Sequence, residues 1–300
     1  MRLRIEALGG LRVIGGGSIA QIDGPHRLIV GYLLTNRERH VSRGQLAETL
    51  WADRDSNHAR RCLSTALWRL KRSVPHLTPL LVFRGAEEVS FNWDAPSWVD
   101  FVAMEMRLAP LLRIRAESLT KEQISRLQRG LRLYRGDYLV GIEHEWAWIA
   151  RQRLRNLFHD GLYHLTQAFA ARSDWGKVLE WGRLLNQEEP LREDVHRLLM
   201  HAHAMTGNRA KAIEQYRLCE RILRQDLGVE PMSETQDWYR ALLSAENEAP
   251  SLRDGDTAED GRLARSLRRI AKVRRAMQLS QAQLGQAIEE MAPGGPPRAA

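Results

Sequence analysis

Residues 59–72 read Ala59-Arg60-Arg61-Cys62-Leu63-Ser64-Thr65-Ala66-Leu67-Trp68-Arg69-Leu70-Lys71-Arg72. Cys62, Leu63, Ala66, Leu67 and Leu70, followed by Val74, recur every three or four residues, which is the spacing of one buried stripe on a helix. The pattern predicts a helix over about 57–73, stopped by Pro75 and Pro79. Its other face carries Arg60, Arg61, Ser64, Thr65, Trp68, Arg69, Lys71 and Arg72. A rod of this kind fits the major groove of B-DNA, where an arginine fork matches guanine O6 and N7, while hydroxyls and further cations hold phosphates and fix register. Arg61, Ser64, Thr65 and Trp68 are the candidates for base edges. Arg60, Arg69 and Arg72 are candidates for phosphates or bases. Any solvated surface helix also carries a charged outer face, so the flanking elements decide between the two readings.

Upstream, Ser42 has the character of an N-cap, with Gln45 three residues on as in a capping box, and the helix continues through Leu46, Ala47 and Leu50 to Trp51. An earlier helix spans about 25–36. Residues 3–22 alternate apolar and polar side chains between the turns Gly9-Gly10 and Gly15-Gly16-Gly17, the pattern of a small antiparallel sheet. Downstream, Leu80–Arg84 and Glu88–Asn92 flank Gly85-Ala86 as a β-hairpin. A sheet, three helices and a final hairpin make a winged helix-turn-helix. Arg84 at the wing edge is placed to reach minor groove or phosphate, although Glu87 and Glu88 beside it weaken that contact. Arg37, Arg39, His40 and Arg43 surround the start of the capped helix. They read equally as phosphate contacts or as a solvated loop.

From residue 98 the pattern is helical. Shifting residues 160–185 by 34 positions superposes Leu165 on Leu199, Ala168 on Ala202, Asp174 on Asn208, Val178 on Ala212, Leu179 on Ile213 and Leu185 on Cys219. A 34-residue period with a polar turn midway is that of tetratricopeptide repeats, stacked helix pairs that offer a surface to a partner. A plain helical bundle is the simpler alternative. Residues 247–261 have linker composition. Residues 262–290 read as helical, and Arg265, Arg268, Arg269, Lys272 and Arg275 offer a second basic contact to nucleic acid. The same stretch also reads as a solvated face, or as an amphipathic helix docking through Leu263, Leu267 and Ile270. Leu279 to Gly285 is similar to the start of a phage-repressor-like helix-turn-helix, with no recognition helix after it. Pro293 to Ala300 is expected to be a disordered tail.

Composition limits the function classes. The 300 residues suggest two domains, or three. The net charge of +8 favours a polyanionic partner. Cys62 and Cys219 both read as buried free thiols in a reducing compartment, with no spacing for a thiolate metal site. No secretory segment and no 18-residue apolar window is seen, so a cytoplasmic protein without membrane contact is expected. There is no metalloprotease motif, phosphate loop or nucleophile elbow. His196, His201 and His203 fall within one helix on different faces. Neither enzyme activity nor a cofactor nor a metal is expected.

Further motifs carry a resemblance. They are Ser42-Arg43-Gly44-Gln45-Leu46 through Leu50-Trp51, the 59–72 segment, and Leu133-Tyr134-Arg135-Gly136-Asp137-Tyr138-Leu139. Others are Glu145-Trp146, Arg151-Gln152-Arg153-Leu154, Pro190-Leu191-Arg192-Glu193-Asp194, His196 to Met200, Ala212 to Tyr216 and Leu227-Gly228-Val229-Glu230-Pro231. Over about residues 1–245 the chain resembles the Streptomyces antibiotic regulatory protein family. That resemblance implies a mainly α fold in which an OmpR-like winged helix with small β-sheets (1–96) precedes a helical, tetratricopeptide-like bacterial transcriptional activation domain (97–246). A linker (247–261) and a basic helical extension with a tail (262–300) would follow. It also implies a transcription activator bound to repeats in double-stranded promoter DNA and touching RNA polymerase, with a homodimer on those repeats left open. Trp68 stands where many relatives have a small polar residue, so the operator is expected to differ. A tetratricopeptide-like scaffold or ligand sensor without direct DNA readout is the rival reading.

Overall fold

A computed structural model of the chain describes residues 3–37, 40–85 and 87–247. The expectations for the linker beyond residue 247, the basic extension and the tail lie outside the described residues.

The chain opens with three antiparallel strands, β1 (Leu3–Glu6), β2 (Arg12–Gly15) and β3 (Ser18–Gln21). Gly16 and Gly17, with φ of 59° and 81°, make the β2–β3 turn, which needs two left-handed residues to match strand twist. Ile5, Ala7, Leu11, Val13 and Ile22 face inward. Helix α1 (Gly24–Thr35) starts at a proline and buries Ile29, Val30, Leu33 and Leu34. Strand β4 (Val41–Ser42) leads into α2 (Arg43–Leu50), and α3 (Ser56–Ser73) follows. After a 3-10 turn at Pro75–Leu80 come β5 (Leu81–Arg84) and β6 (Glu88–Phe91), which pair as the wing, with β4 on the other side of β6. Strand β7 (Ser97–Val99) returns to the first sheet and lies parallel to β1, giving the order β3-β2-β1-β7.

The rest is helical: α4 (Asp100–Leu108), α5 (Lys121–Leu131), α6 (Glu145–Ala170), α7 (Trp175–Glu188), α8 (Glu193–Met205), α9 (Arg209–Asp226) and α10 (Ser233–Asn247). From α6 onward each helix packs on the next. The 34-residue repeat is visible atom by atom. Asp174 caps α7 by accepting the Lys177 amide at 3.3 Å, and Asn208 caps α9 by accepting the Lys211 amide at 3.3 Å. Leu165 and Leu199, Ala168 and Ala202, Val178 and Ala212, and Leu185 and Cys219 are all buried. The turns also correspond, since Ser173 has φ 58° where Gly207 has φ 76°. Serine pays a steric cost in that region that glycine does not. Ser173→Gly is therefore expected to raise unfolding stability by about 1 kcal/mol, checked by urea denaturation; a loss would show that the turn gains nothing from relief of this strain.

One hydrophobic cluster runs from Ile5 of β1 to Ala202 of α8 without a break. The stretch 133–139 explains how. Tyr134 stacks on Phe158 at 4.1 Å, and its hydroxyl donates to Asp137 at 2.7 Å. Asp137 is ion-paired with Arg155. Burial opposes ionisation of Asp137, but Arg155 and the Tyr134 hydroxyl outweigh it and hold the carboxyl below its usual range. Gly136 has φ 150°, which residues other than glycine rarely adopt, and a Cβ there would stand a tight 3.2 Å from the Gly9 Cα where the two backbones meet. Tyr138 is buried against Phe101 and its hydroxyl lies 3.0 Å from that of Thr35, while Leu139 N–H donates to the Ala7 carbonyl at 3.0 Å. The segment thus clasps the helical part to the first sheet and to α1.

Candidate nucleic-acid interface

Helix α3 starts where the Asp55 carboxylate accepts the amides of Asn57 and His58 at 3.1 and 2.9 Å, one residue before the sequence pattern suggested. Ala59, Leu63, Ala66, Leu67 and Leu70 are buried. Arg60, Arg61, Ser64, Thr65, Trp68, Arg69 and Arg72 are all exposed, together with Asn57 and Lys71. The helix has five basic residues and no acidic one. Its 18 residues span about 27 Å at 1.5 Å per residue, enough to lie along a groove.

Neighbouring elements frame this face. Helix α2 is capped by the Ser42 hydroxyl, which accepts the Gln45 amide at 3.0 Å, but the expected capping box is only half made, since the Gln45 side chain does not return to the Ser42 amide. Arg43 in its first turn donates to Ser64 Oγ at 3.0 Å, and Ser64 Oγ donates in turn to the Arg60 carbonyl at 2.9 Å. Asn57, Arg60, Arg61 and Ser64 line a shallow open depression at this junction. Sequence reading did not single out Asn57, although it lies four residues before Arg61 on the same face. At the other end, Lys71 Nζ sits 4.0 Å over the Phe83 ring and fixes the helix to the wing. Arg84 is exposed on the wing and faces Glu88 across the hairpin. Arg69 lies at the flank towards α1, where burial and the Arg69 charge push the His26 pKa down. The Arg72 guanidinium stacks on Trp68 at 4.8 Å.

Cys62 is only half-buried, because it lies at the edge of the stripe, where its sulfur accepts from Arg54 Nη1 at 3.3 Å; Cys219 is buried as expected. Arg37, offered as a phosphate contact, is bound to Glu105 of α4 at 2.6 Å. Arg39 and the basic set Arg265, Arg268, Arg269, Lys272 and Arg275 lie outside the described residues. The three α8 histidines are core residues. His196 Nε2 donates to the Pro190 carbonyl at 2.9 Å and its Nδ1 accepts from Gln215 at 2.8 Å, which assigns the tautomer from the partners. His201 sits between the Trp175 and Trp238 rings, and His203 is buried nearby in the same helix.

The fold is a winged helix joined to a stack of tetratricopeptide-like helix pairs. Comparison with known proteins agrees. Residues 99–243 match the family described as Bacterial transcriptional activator domain. The chain is 25% identical over 252 residues to the Regulatory protein AfsR of Streptomyces coelicolor, covering 81% of this chain and 24% of that protein. It is 24% identical over 250 residues to the Streptomyces griseus protein of the same name, covering 82% and 25%. The chain thus spans about a quarter of the length of these curated relatives. Among solved structures, Mycobacterium tuberculosis EmbR, captured with a low affinity phosphopeptide, superposes with a TM-score of 0.66 at 19% identity, over 81% of this chain and 65% of that one. The chain resembles these regulatory proteins in both halves of its architecture. No helix among the described residues is long and apolar enough to cross a membrane.

Proposed function

We propose that the chain is a transcription regulator whose α3 reads the major groove of promoter DNA while the helical stack presents a surface to the transcription machinery. The observation that carries this reading is the acid-free outer face of α3, exposed along its length and framed by the α2 N-terminus and the wing. In this reading residues 1–96 form the DNA-binding unit and residues 97–246 the activation unit, with 247–261 as linker and 262–300 as a basic extension. Arg61, Ser64, Thr65 and Trp68 approach base edges. Arg43, Arg60, Arg69, Arg72 and Arg84 lie closest to phosphates or flanking bases. Arg265, Arg268, Arg269, Lys272 and Arg275 add a second electrostatic contact. RNA polymerase is the partner of the helical surface, and two copies on repeated sites would gain from effective concentration. Activation, rather than repression, is the outcome this arrangement suits.

The test is a fluorescence-anisotropy titration of duplexes recovered by selection from a random library, over a salt series. Log affinity is expected to fall linearly with log salt. Arg61→Ala should cost about 1–3 kcal/mol on the selected duplex if Arg61 forks onto a guanine. The same affinity for wild type, Arg61→Ala and Arg69→Ala would remove α3 as the reader. No salt-dependent binding at low salt would favour the scaffold or sensor reading instead.

A further inference from the structure

The Trp68–Arg72 pair is not explained by folding. Trp68 is 57% exposed and sits near the middle of the outer face, opposite Leu63, Leu67 and Leu70, so it covers none of the core stripe. The exposed indole face is therefore available for an apolar contact in a bound state. Arg72 lies one turn later, stacked at 4.8 Å, and among the described residues no carboxylate pairs with it. A guanidinium stacked through its face keeps its N–H donors free at its edge. Residues four apart on a helix are displaced by about 6 Å along its axis, so two side chains so linked address base pairs no more than one or two steps apart.

We propose that Trp68 and Arg72 act as one specificity-determining unit. Trp68 orients the Arg72 fork towards guanine O6 and N7, and the open part of its ring covers the methyl of a thymine on a neighbouring base pair. The unit selects a thymine–guanine neighbourhood in the operator. This rests on the DNA-reading role of α3 proposed above. It gives Arg72 a base-reading role in place of a phosphate contact, and gives Trp68 a positioning role as well as an apolar contact. An arginine already stacked before binding has less freedom to lose when its fork closes on the base.

The experiment is library selection followed by titration of the winning duplex and its single-base variants, using the full chain and the variants Trp68→Ala, Trp68→Phe, Arg72→Ala and Trp68→Ala/Arg72→Ala. Wild type should select a guanine with a thymine one or two pairs away. Arg72→Ala should lose about 5- to 150-fold discrimination at that guanine. Trp68→Ala should lose part of the same guanine preference although Arg72 is intact, as well as the thymine preference. The double variant should discriminate at the guanine no worse than Arg72→Ala, and Trp68→Phe should retain most of it. Both positions are exposed, and unchanged thermal melts check that folding is intact. If Trp68→Ala leaves the guanine preference whole, or the two losses multiply, the unit does not exist. If wild type selects a sequence and Trp68→Ala keeps the same base preferences, this inference fails alone; if wild type binds no duplex, the DNA-reading role fails with it.

Discussion

Asp100→Ala is expected to lower unfolding stability by about 3–5 kcal/mol, the range for an uncompensated break in a buried polar network. Asp100 is fully buried at the start of α4. Its carboxylate accepts the amides of Ala7 at 2.9 Å, Leu8 at 3.0 Å and Phe101 at 2.7 Å, and Arg135 stands 3.7 Å away. Burial pushes its pKa up, while the amides of Leu8, Ala7 and Phe101 and the Arg135 charge pull in the opposite direction. Alanine leaves the buried amides of Ala7, Leu8 and Phe101 without their acceptor, while Arg135, which is part-exposed, keeps Glu6. Arg135 also binds Glu6, whose carboxyl meets Arg4 and Arg12 as well. For Glu6, burial works against ionisation, but Arg135, Arg4 and Arg12 prevail and keep the carboxyl below its usual range. The network therefore joins the end of β1, the start of α4 and the 133–139 clasp at one point. Asp100→Asn retains one carbonyl acceptor and should lose clearly less. Urea melts of both variants at pH 7 measure the difference. A loss under 1 kcal/mol for alanine would mean that the amides find other partners and that this junction does not hold the winged helix to the stack.

The Asp100 junction also marks where sequence reading stops. The α3 stripe was legible because a 3.6-residue period is local, and the α6–α9 repeat because Asp174 and Asn208 carry the same cap at a fixed offset. The wing was legible from Gly85 between two short apolar runs. Strands β4 and β7 were not, since two or three residues leave no alternation to read and their partners lie far along the chain. Asp100 bonds to residues more than ninety positions earlier, a pairing no local pattern encodes. The resemblance singled out Leu133 to Leu139 without showing its task, which became plain only when Gly136 was seen against Gly9. At the candidate interface, the exposed residues were predicted by helical period alone. The Arg43–Ser64 bond depends on how α2 crosses α3, and Cys62 was misplaced because a stripe's edge is half-covered by whatever neighbour arrives, here Arg54.

Acidification from pH 7 to pH 5 should destabilise the helical stack, with His201 alone contributing about 2 kcal/mol. His201 is 5% exposed, packed with its ring 4.7 Å from Trp175 and 5.2 Å from Trp238, and burial pushes its pKa from the ordinary 6.5 down to about 4. Between those two values the unfolded chain holds a proton that the folded chain does not, so stability is fully present above pH 6.5 and is lost as pH falls towards 4. His196 and His203 are lowered too, with burial the largest cause in each, and they act in the same direction. Tertiary packing sets this sensitivity, because all three side chains sit in the seams where α8 meets its neighbours. His201→Phe keeps an aromatic ring between the two tryptophans and removes the titration. Its stability should fall less steeply than wild type between pH 7 and pH 5 in parallel denaturant melts. Equal slopes for the two proteins would show that His201 takes up its proton without opening the α7–α8–α10 seam, as a cation held between two indole rings would.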